Sequence, residues 1–347
     1  MLSRPFGSYN SALSLKTYND GWTFCLKTDT EWLVVTKAHL EKINKSYDLL
    51  ASGNYNDGME LLVSELRHAK RRLEATAWEN FVATCVLTHP IRNLIHQCPF
   101  TRHAYSKPRG YPGDAVLLDH IYGLASDDAK PQGSVSLGIY QYTINAPAPR
   151  AVRYRRNFIA DLVHNTLLEE GHRRVLSIAS GHLREAQLIK ANGTRFEWLA
   201  LDQDDESLLT VAADYSHLGV RPIHQNIRNF IAGRTDLGKF DLIYAAGLFD
   251  YLANDIALRL LSAMVKATTP GGRVLIANFM PDIPDIGYME SFMAWRLIYR
   301  TPSDLSSLVN ALNSSDIADL AVTTDPDENV AFAVLTTRKL PVDDHAT

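Results

Sequence analysis

The sequence is poor in cysteine and lacks any long apolar run. Its 347 residues include three cysteines, Cys25, Cys85 and Cys98, whose spacing fits no metal-ligand motif. We therefore expect each to be a small buried apolar side chain, and we predict no metal site. Because no apolar stretch reaches the roughly 18 residues of a membrane span and no signal peptide is recognisable, we expect a cytoplasmic protein without stable membrane association.

Clustered positive charge is also scarce. The chain has 35 Lys and Arg against 39 Asp and Glu, which gives a formal net charge of -4. Its densest basic clusters, residues 70–72 and 153–156, are short. Proteins that bind DNA or RNA usually present much larger basic surfaces, so we expect a small-molecule partner and no nucleic acid. The sequence leaves the oligomeric state open.

The first part of the chain has the apolar periodicity of helices. From about residue 37 to 95, apolar residues recur at helical spacing, with a turn at residues 52–54. The third of these helices is predicted over residues 75–95, with a kink at His89. Two strand-like pieces precede the helices, at residues 22–24 and 32–35. We predict a mainly helical N-terminal domain over residues 1–149.

After Arg150 the pattern changes to alternating strands and helices. Five apolar strands are predicted, at residues 174–179, 197–201, 221–224, 240–244 and 273–277. Runs of this kind, separated by helices, favour a parallel sheet covered on both faces. Residues 317–322 and 330–336 flank a turn-rich segment and predict an antiparallel hairpin at the sheet edge. We predict a doubly wound, Rossmann-like α/β domain over residues 150–340, followed by a tail, 341–347.

The loop after the first strand lacks the full glycine motif of dinucleotide-binding proteins. Ala179 and Leu183 stand where such loops prefer glycine, while Ser180 and Gly181 lie between them. A doubly wound sheet binds its ligand beyond the carboxyl ends of the strands, and glycine allows close approach of the backbone. We therefore predict that Ser180 and Gly181 contact a cofactor.

An acidic residue ends the second strand. Asp202 follows Gly181 by 21 positions, close to the spacing expected for a carboxylate that accepts ribose hydroxyls. We predict that Asp202 and its neighbour Gln203 bind the cofactor. Asp204 is expected to cap the following helix.

Taken together, these segments resemble the class I S-adenosyl-L-methionine (SAM) dependent methyltransferases over about the last 200 residues. More narrowly, the chain is similar to a bacterial branch of fatty-acid methyl ester biosynthesis and secondary-metabolism methyltransferases, whose relatives include azetidine-2-carboxylate synthases. The resemblance is carried by five segments, residues 108–114, 180–185, 201–204, 247–251 and 295–300. It implies SAM as the cofactor.

The resemblance also changes the interpretation of residues 99–149, a stretch rich in Gly, Pro and Tyr. Composition alone fits an interdomain linker, whereas the resemblance implies an active-site lid. We accordingly expect Tyr111 to contact the cofactor, and Tyr140, Tyr142 and Asn145 to act in catalysis. Tyrosine rings can form a wall near a sulfonium, and a hydroxyl or amide can orient a reacting amine.

Two further turns are expected to touch the cofactor. In SAM sites the turn after the third strand offers a polar side chain to the adenine amine and an apolar one to the ring, and Asn226 and Ile227 suit these roles. A plain turn position explains Asn226 about equally well. Gly247, after the fourth strand, leaves space for the methionine portion.

The segment after the fifth strand offers candidates for the acceptor pocket. Tyr299 and Arg300 suggest a small polar substrate with a carboxylate, which an arginine can bind through two hydrogen bonds. The simpler alternatives are a Trp295–Tyr299 pair on one helix face and an Arg300 that bonds a helix end. Three other arginines could contact the methionine carboxylate or form surface ion pairs instead: Arg150, Arg153 and Arg156.

Four functions remain in competition. The leading one is a SAM-dependent methyltransferase that acts on a small, carboxylate-bearing metabolite. The alternative is a SAM cyclase that forms azetidine-2-carboxylate and methylthioadenosine by intramolecular attack. A non-catalytic SAM-binding module is a further alternative. A nucleotide-binding dehydrogenase is disfavoured by the missing glycine motif.

Overall fold

The computed structural model describes residues 30–189, 196–234 and 236–339. The chain begins with a long helix, α1 (Thr30–Ala51), which pairs with α2 (Tyr55–Arg72). The strand expected at residues 32–35 is wrong, because these residues belong to α1. A short apolar run fits a strand and a helix equally well when taken alone, and here the helix extends through it. Residues 22–24 lie outside the described residues.

The third predicted helix is broken into three pieces. It comprises α3 (Ala75–Phe81), a π-helical stretch (Val82–Val86) and α4 (Ile91–Ile95). Pro90 directly precedes α4, so the break lies at the predicted position, with the π-helical stretch before it.

The segment 99–149 contains more helix than its Gly and Pro content suggests. It forms α5 (Pro99–Ser106), α6 (Ala115–Tyr122) and α7 (Gly133–Ile144), and α8 (Pro147–Leu167) begins within it. Pro99 and Pro147 stand in the first turn of their helices, where proline is tolerated. Gly123 ends α6 in the left-handed conformation. The Pro and Gly residues of this segment therefore stand at the beginnings and ends of helices.

The second half of the chain folds as the predicted α/β sheet. Its strands are β1 (Arg173–Ile178), β2 (Phe196–Asp202), β3 (Val220–His224), β4 (Phe240–Ala245), β5 (Thr268–Phe279), β6 (Ile317–Thr324) and β7 (Val330–Thr337). Their order is β3-β2-β1-β4-β5-β7-β6, with the first five parallel and β7 antiparallel to both neighbours. The doubly wound sheet and its C-terminal hairpin are therefore confirmed. The remaining helices are α9 (Asp205–Tyr215), α10 (Ile227–Ile231), α11 (Asn254–Ala267), α12 (Ile286–Phe292) and α13 (Pro302–Asn310).

One apolar core joins the helical part to the sheet. It includes Leu66 and Trp78 from the first helices and Trp198, Phe279 and Phe332 from the strands. A second core covers the other face of the sheet. Helices α12 and α2 meet where Gly287 lies against the backbone of Leu66, where an added Cβ would be 2.5 Å from the carbonyl. The contact between the two parts is thus close packed.

Candidate functional site

The strand order creates a crevice between β1 and β4. These two strands are neighbours, while the chain continues from β1 to β2 on one side and from β4 to β5 on the other. In open α/β sheets, ligands bind at such a reversal point, outside the carboxyl ends of the strands. The loops that carry the predicted cofactor residues follow β1, β2, β3 and β4, so they share this edge.

The loop after β1 has a glycine-type backbone despite its missing glycines. Ala179, Gly181 and Leu183 all have left-handed conformations, with φ of 53°, 52° and 50°. A Cβ added to Gly181 would lie 3.2 Å from the Cβ of Ala115, the first residue of α6. The loop therefore permits close approach of α6 at Gly181, at the cost of strain at its two non-glycine residues.

Asp202 connects the loops after β1 and β2. Its carboxylate is buried, and its oxygens accept hydrogen bonds from the N–H groups of Gly181 at 2.8 Å and Asp204 at 3.0 Å. Each carboxylate oxygen has a further lone pair, which suits a ribose hydroxyl. Asp204 caps α9 by accepting from the N–H of Glu206, as expected from the sequence.

Two buried polar atoms beside Gly181 have no partner among the described residues. They are the hydroxyl oxygen of Ser180 and Nε2 of His182. Buried polar atoms of this kind are nearly always paired with protein, water or ligand. An orphaned donor and acceptor at this loop fit a site for a polar ligand.

The turn after β3 brings two predicted residues together. Asn226 accepts from the N–H of Arg228 and thereby caps α10, while its amide nitrogen donates to the Gln203 side chain at 3.0 Å. Asn226 therefore has the structural role at the turn that was the alternative to cofactor binding. Ile227 is half-buried against the second core. A contact of either residue with adenine stays a prediction.

The segment around Tyr111 lies over the loops after β2 and β4. The Tyr111 ring meets the ring of Tyr251 edge to face, with centroids 6.0 Å apart. Burial raises the pKa of Tyr111, and the negative charges of Asp202 and Asp114 raise it further. At Gly113 an added Cβ would lie 2.6 Å from the Tyr251 hydroxyl and 2.7 Å from the Trp295 ring. Only glycine fits this close approach.

A second contact fastens α6 to the loop after β1. The Asp119 carboxylate accepts two hydrogen bonds from Arg184, each of 2.7 Å, and one from Nδ1 of His182 at 2.9 Å. Burial would raise the pKa of Asp119, but the hydrogen bonds from Arg184 and His182 outweigh it and the pKa is lowered. The pair remains ionised at neutral pH and holds α6 on the Gly181 loop.

The proposed catalytic residues of the lid do not converge on one point. The Tyr140 hydroxyl contacts Nδ1 of His120 at 3.3 Å. The pKa of His120 is lowered to about 4, mainly by burial and also by the positive charge of the nearby His103. Tyr142 instead lines a small cavity. Asn145 is exposed at the end of α7, and its amide nitrogen donates to the carbonyl of Gln141 on the same helix.

The cavity beside Tyr142 lies where the helical part meets α12. Its volume is about 10 Å³, and Tyr142, Tyr288, Trp295 and Asp285 contribute to its lining. Asp285 is buried and accepts from the N–H of Ala148 with both oxygens at 3.2 Å. A wider groove of about 1370 Å³ borders the opposite end of β4 and contains none of the predicted site residues.

Arg300 is used to hold a loop of its own chain. Its buried guanidinium donates to the carbonyls of Phe249 and Leu252 and to the side chains of Asn254 and Asn278, at 2.6 to 2.8 Å. These bonds hold the loop after β4, so the basis for a substrate carboxylate at Arg300 is removed.

Trp295 and Tyr299 are not a helical pair, because α12 ends at Phe292. The Tyr299 hydroxyl is buried without a partner among the described residues. Burial raises its pKa, and the nearby carboxylates of Glu290 and Asp250 raise it further. Tyr299 thus lies in an acidic environment that the sequence did not predict.

Sequence reasoning missed the arginine that is buried at the site. Arg150 pairs with Asp327, Arg153 donates to backbone carbonyls, and Arg156 stacks on the ring of Tyr122. Arg155, between them, is the residue that is buried. The sequence contained a sign of this burial, because residue 155 falls on the same helix face as the apolar residues Ala151, Val152 and Ile159, which are also buried.

Comparisons with known proteins show the fold of the chain. No protein-family model and no curated protein matches the sequence. A solved structure from Bordetella parapertussis, named as a possible exported protein, aligns with a TM-score of 0.51 and 14% identity, over 74% of this chain and 99% of that chain. At this identity the likeness shows the fold alone.

Two other solved structures align less well. The pyocyanin biosynthetic protein PhzM gives a TM-score of 0.41 and 16% identity, over 59% of this chain and 64% of that chain. The N-methyltransferase NodS of Bradyrhizobium japonicum WM9, solved with S-adenosylhomocysteine, gives 0.39 and 16%, over 65% and 99%. Among the described helices, none is long and apolar enough to cross a membrane.

Proposed function

We propose that the protein is a SAM-dependent methyltransferase with a small-molecule acceptor. The observation that carries the proposal is Asp202, a buried carboxylate that receives the Gly181 N–H at the crevice between strands of a doubly wound sheet. A carboxylate in this position suits the two hydroxyls of a ribose. SAM lacks a pyrophosphate, so its binding does not need the full glycine motif that the loop lacks.

The residues present fit the demands of methyl transfer. SAM supplies an activated methyl group, so the protein has mainly to align the acceptor and exclude water. We expect Ser180, Gly181 and Asp202 to hold the adenosine and methionine parts and Tyr111 to cover them, which is supported by the packing of Tyr111 on Tyr251 beside the loop after β4. The contacts of Arg109 and Asp119 keep this cover in place.

The acceptor is expected near Trp295 and Tyr251, because Trp295 donates a hydrogen bond to the Tyr251 hydroxyl beside the loop after β4. The adjoining cavity lined by Tyr142 and Tyr288 measures about 10 Å³, which is room for one water molecule. No observation favours intramolecular cyclisation, because Asn145, one of the residues expected to orient the attacking amine, is exposed and bonded to its own helix. We therefore retain an intermolecular reaction.

Binding of S-adenosylhomocysteine, measured by calorimetry, tests the proposal. Asp202→Asn should weaken binding about tenfold to a hundredfold, because it removes charge-assisted hydrogen bonds to the ribose. Asp205→Asn, three positions further along and exposed, is the matched control and should bind normally. Equal affinity in Asp202→Asn and wild type would contradict the assignment of Asp202.

Product analysis tests the reaction type. Incubation with SAM and a panel of small amines, phenols and carboxylates should release S-adenosylhomocysteine only when an acceptor is present. Methylthioadenosine formed from SAM alone, faster than without the protein, would favour the cyclase instead.

A further inference from the structure

A buried arginine lies at the crevice between β1 and β4. Arg155, in α8, is 5% exposed. If a Cβ were added to Gly247 after β4, it would lie 3.5 Å from each of the two terminal guanidinium nitrogens. Both N–H-bearing ends of the side chain therefore face the backbone at Gly247, at the reversal point of the strand order.

The guanidinium has few partners of its own. No carboxylate of the described residues lies within the 4.0 Å of an ion pair with Arg155. Burial raises the pKa of Tyr122 to about 12 even though the positive charge of Arg155 and a hydrogen bond from it act in the opposite direction, so the Tyr122 hydroxyl is one partner of the guanidinium. One hydroxyl can occupy only a minority of the five N–H donors of an arginine.

Two buried acids that interact electrostatically with Arg155 are hydrogen-bonded to other groups. Asp250 accepts from the N–H of Phe279 at 2.7 Å, and Glu185 accepts from the Tyr244 hydroxyl. Burial raises the pKa of both carboxyls, that of Asp250 to about 7, and Arg155 offsets only part of this rise. Neither acid neutralises the guanidinium as a directly bonded carboxylate would.

We propose that Arg155 is a binding residue for a ligand carboxylate, namely the α-carboxylate on the methionine part of SAM. A guanidinium matches a carboxylate through two parallel hydrogen bonds, and a buried charge without such a partner is costly. The absence of a side chain at Gly247 leaves the space through which the carboxylate reaches Arg155. This inference rests on the proposed function, and it assigns to Arg155 the role that the sequence suggested for its neighbours.

The test compares two ligands that differ only in the carboxylate. Calorimetry is carried out on the full chain with S-adenosylhomocysteine and with its decarboxylated analogue. Wild type should prefer S-adenosylhomocysteine by about tenfold to a hundredfold, the range expected for a charge-assisted pair. Arg155→Gln should bind both ligands equally and weakly, whereas Arg155→Lys, which keeps a cation, should retain part of the preference.

Arg150→Gln is the matched control, because Arg150 lies on the same helix but pairs with the exposed Asp327. It should discriminate between the two ligands as wild type does. If Arg155→Gln and Arg155→Lys both keep the full wild-type preference, the inference is overturned while the proposed function stands. If wild type binds neither ligand, the proposed function itself fails and the inference fails with it.

Discussion

The guanidinium of Arg109 donates to the carboxylate of Asp204, although 95 positions separate the two residues. The same side chain donates to the Ser207 hydroxyl at 2.9 Å and to Glu206 at 2.9 Å. All three acceptors lie at the start of α9, directly after β2. The segment that carries Tyr111 is thereby fastened to the loop that carries Asp202.

Breaking this contact should weaken cofactor binding. Arg109→Gln removes the charge and most of the donors, and we expect about a tenfold loss of affinity for S-adenosylhomocysteine, equivalent to about 1.4 kcal/mol. Hydrogen exchange of the amides at residues 107–114 should become faster. Arg221→Gln, which removes the ion pair with Glu197 on the sheet, is the control and should change neither quantity. Unchanged affinity and exchange in Arg109→Gln would show that this contact does not hold the segment.

Relief of backbone strain at Ala179 should not cost stability. A non-glycine residue in the left-handed region loses about 1 kcal/mol or more, and glycine avoids this loss while adding unfolded-state entropy of about 0.5–1 kcal/mol. Urea denaturation of Ala179→Gly should therefore show equal or slightly higher stability. Ala213→Gly, at an exposed position within α9, should lose about 1 kcal/mol. If both variants lose a similar amount of unfolding free energy, the backbone at Ala179 is not strained.

The contact between α12 and α2 should tolerate no side chain at position 287. Gly287→Ala places a methyl group 2.5 Å from the Leu66 carbonyl, and we expect a loss of about 1–3 kcal/mol from overpacking. Gly247→Ala is the control for stability, since the nearest atoms lie at 3.5 Å. Thermal unfolding measures both. A Gly287→Ala protein as stable as wild type would mean that α12 and α2 are not packed as closely as described.

The buried carboxyl of Asp285 should make stability depend on pH. Burial raises its pKa from 3.8 to about 6 in the folded protein, so between these values the folded state binds more protons than the unfolded state. The free energy of unfolding then falls as pH rises through this window. Asp285→Asn removes the titration, so its stability relative to wild type should improve by up to about 3 kcal/mol from pH 4 to pH 7.

The control for this effect has the opposite sign. The hydrogen bond from Thr301 lowers the pKa of Asp304, so that carboxyl stabilises the folded state at neutral pH and the stabilisation is lost on acidification. Relative to wild type, Asp304→Asn should therefore become less stable as pH rises. Denaturant titrations at the two pH values measure both differences. A pH-independent difference for Asp285→Asn would contradict the raised pKa.

Local patterns in the sequence were enough to predict the architecture of the second half of the chain. The alternation of apolar strands and helices after Arg150 predicted the doubly wound sheet and its hairpin, because a strand buried on both faces must be apolar along its length. The cap role of Asp204 was also predictable, since the next residues form a helix start. The strand expected at residues 32–35 failed because four apolar residues do not distinguish a strand from a helix.

What the sequence by itself determined was therefore the strands of the sheet, its C-terminal hairpin and the edge at which the loops after the strands meet. Only the tertiary structure decided which polar side chains at this edge are paired within the protein and which are not, because that depends on contacts formed on folding. Arg300 is saturated by carbonyls and amides of its own chain, while Arg155 is buried beside Gly247 with no carboxylate in ion-pair distance among the described residues. The sequence pointed to Arg300 and to Arg150, Arg153 and Arg156 as candidates for binding a carboxylate, and it did not single out Arg155. The difference between Arg300 and Arg155 arises from contacts between residues up to about 90 positions apart, which no local pattern records.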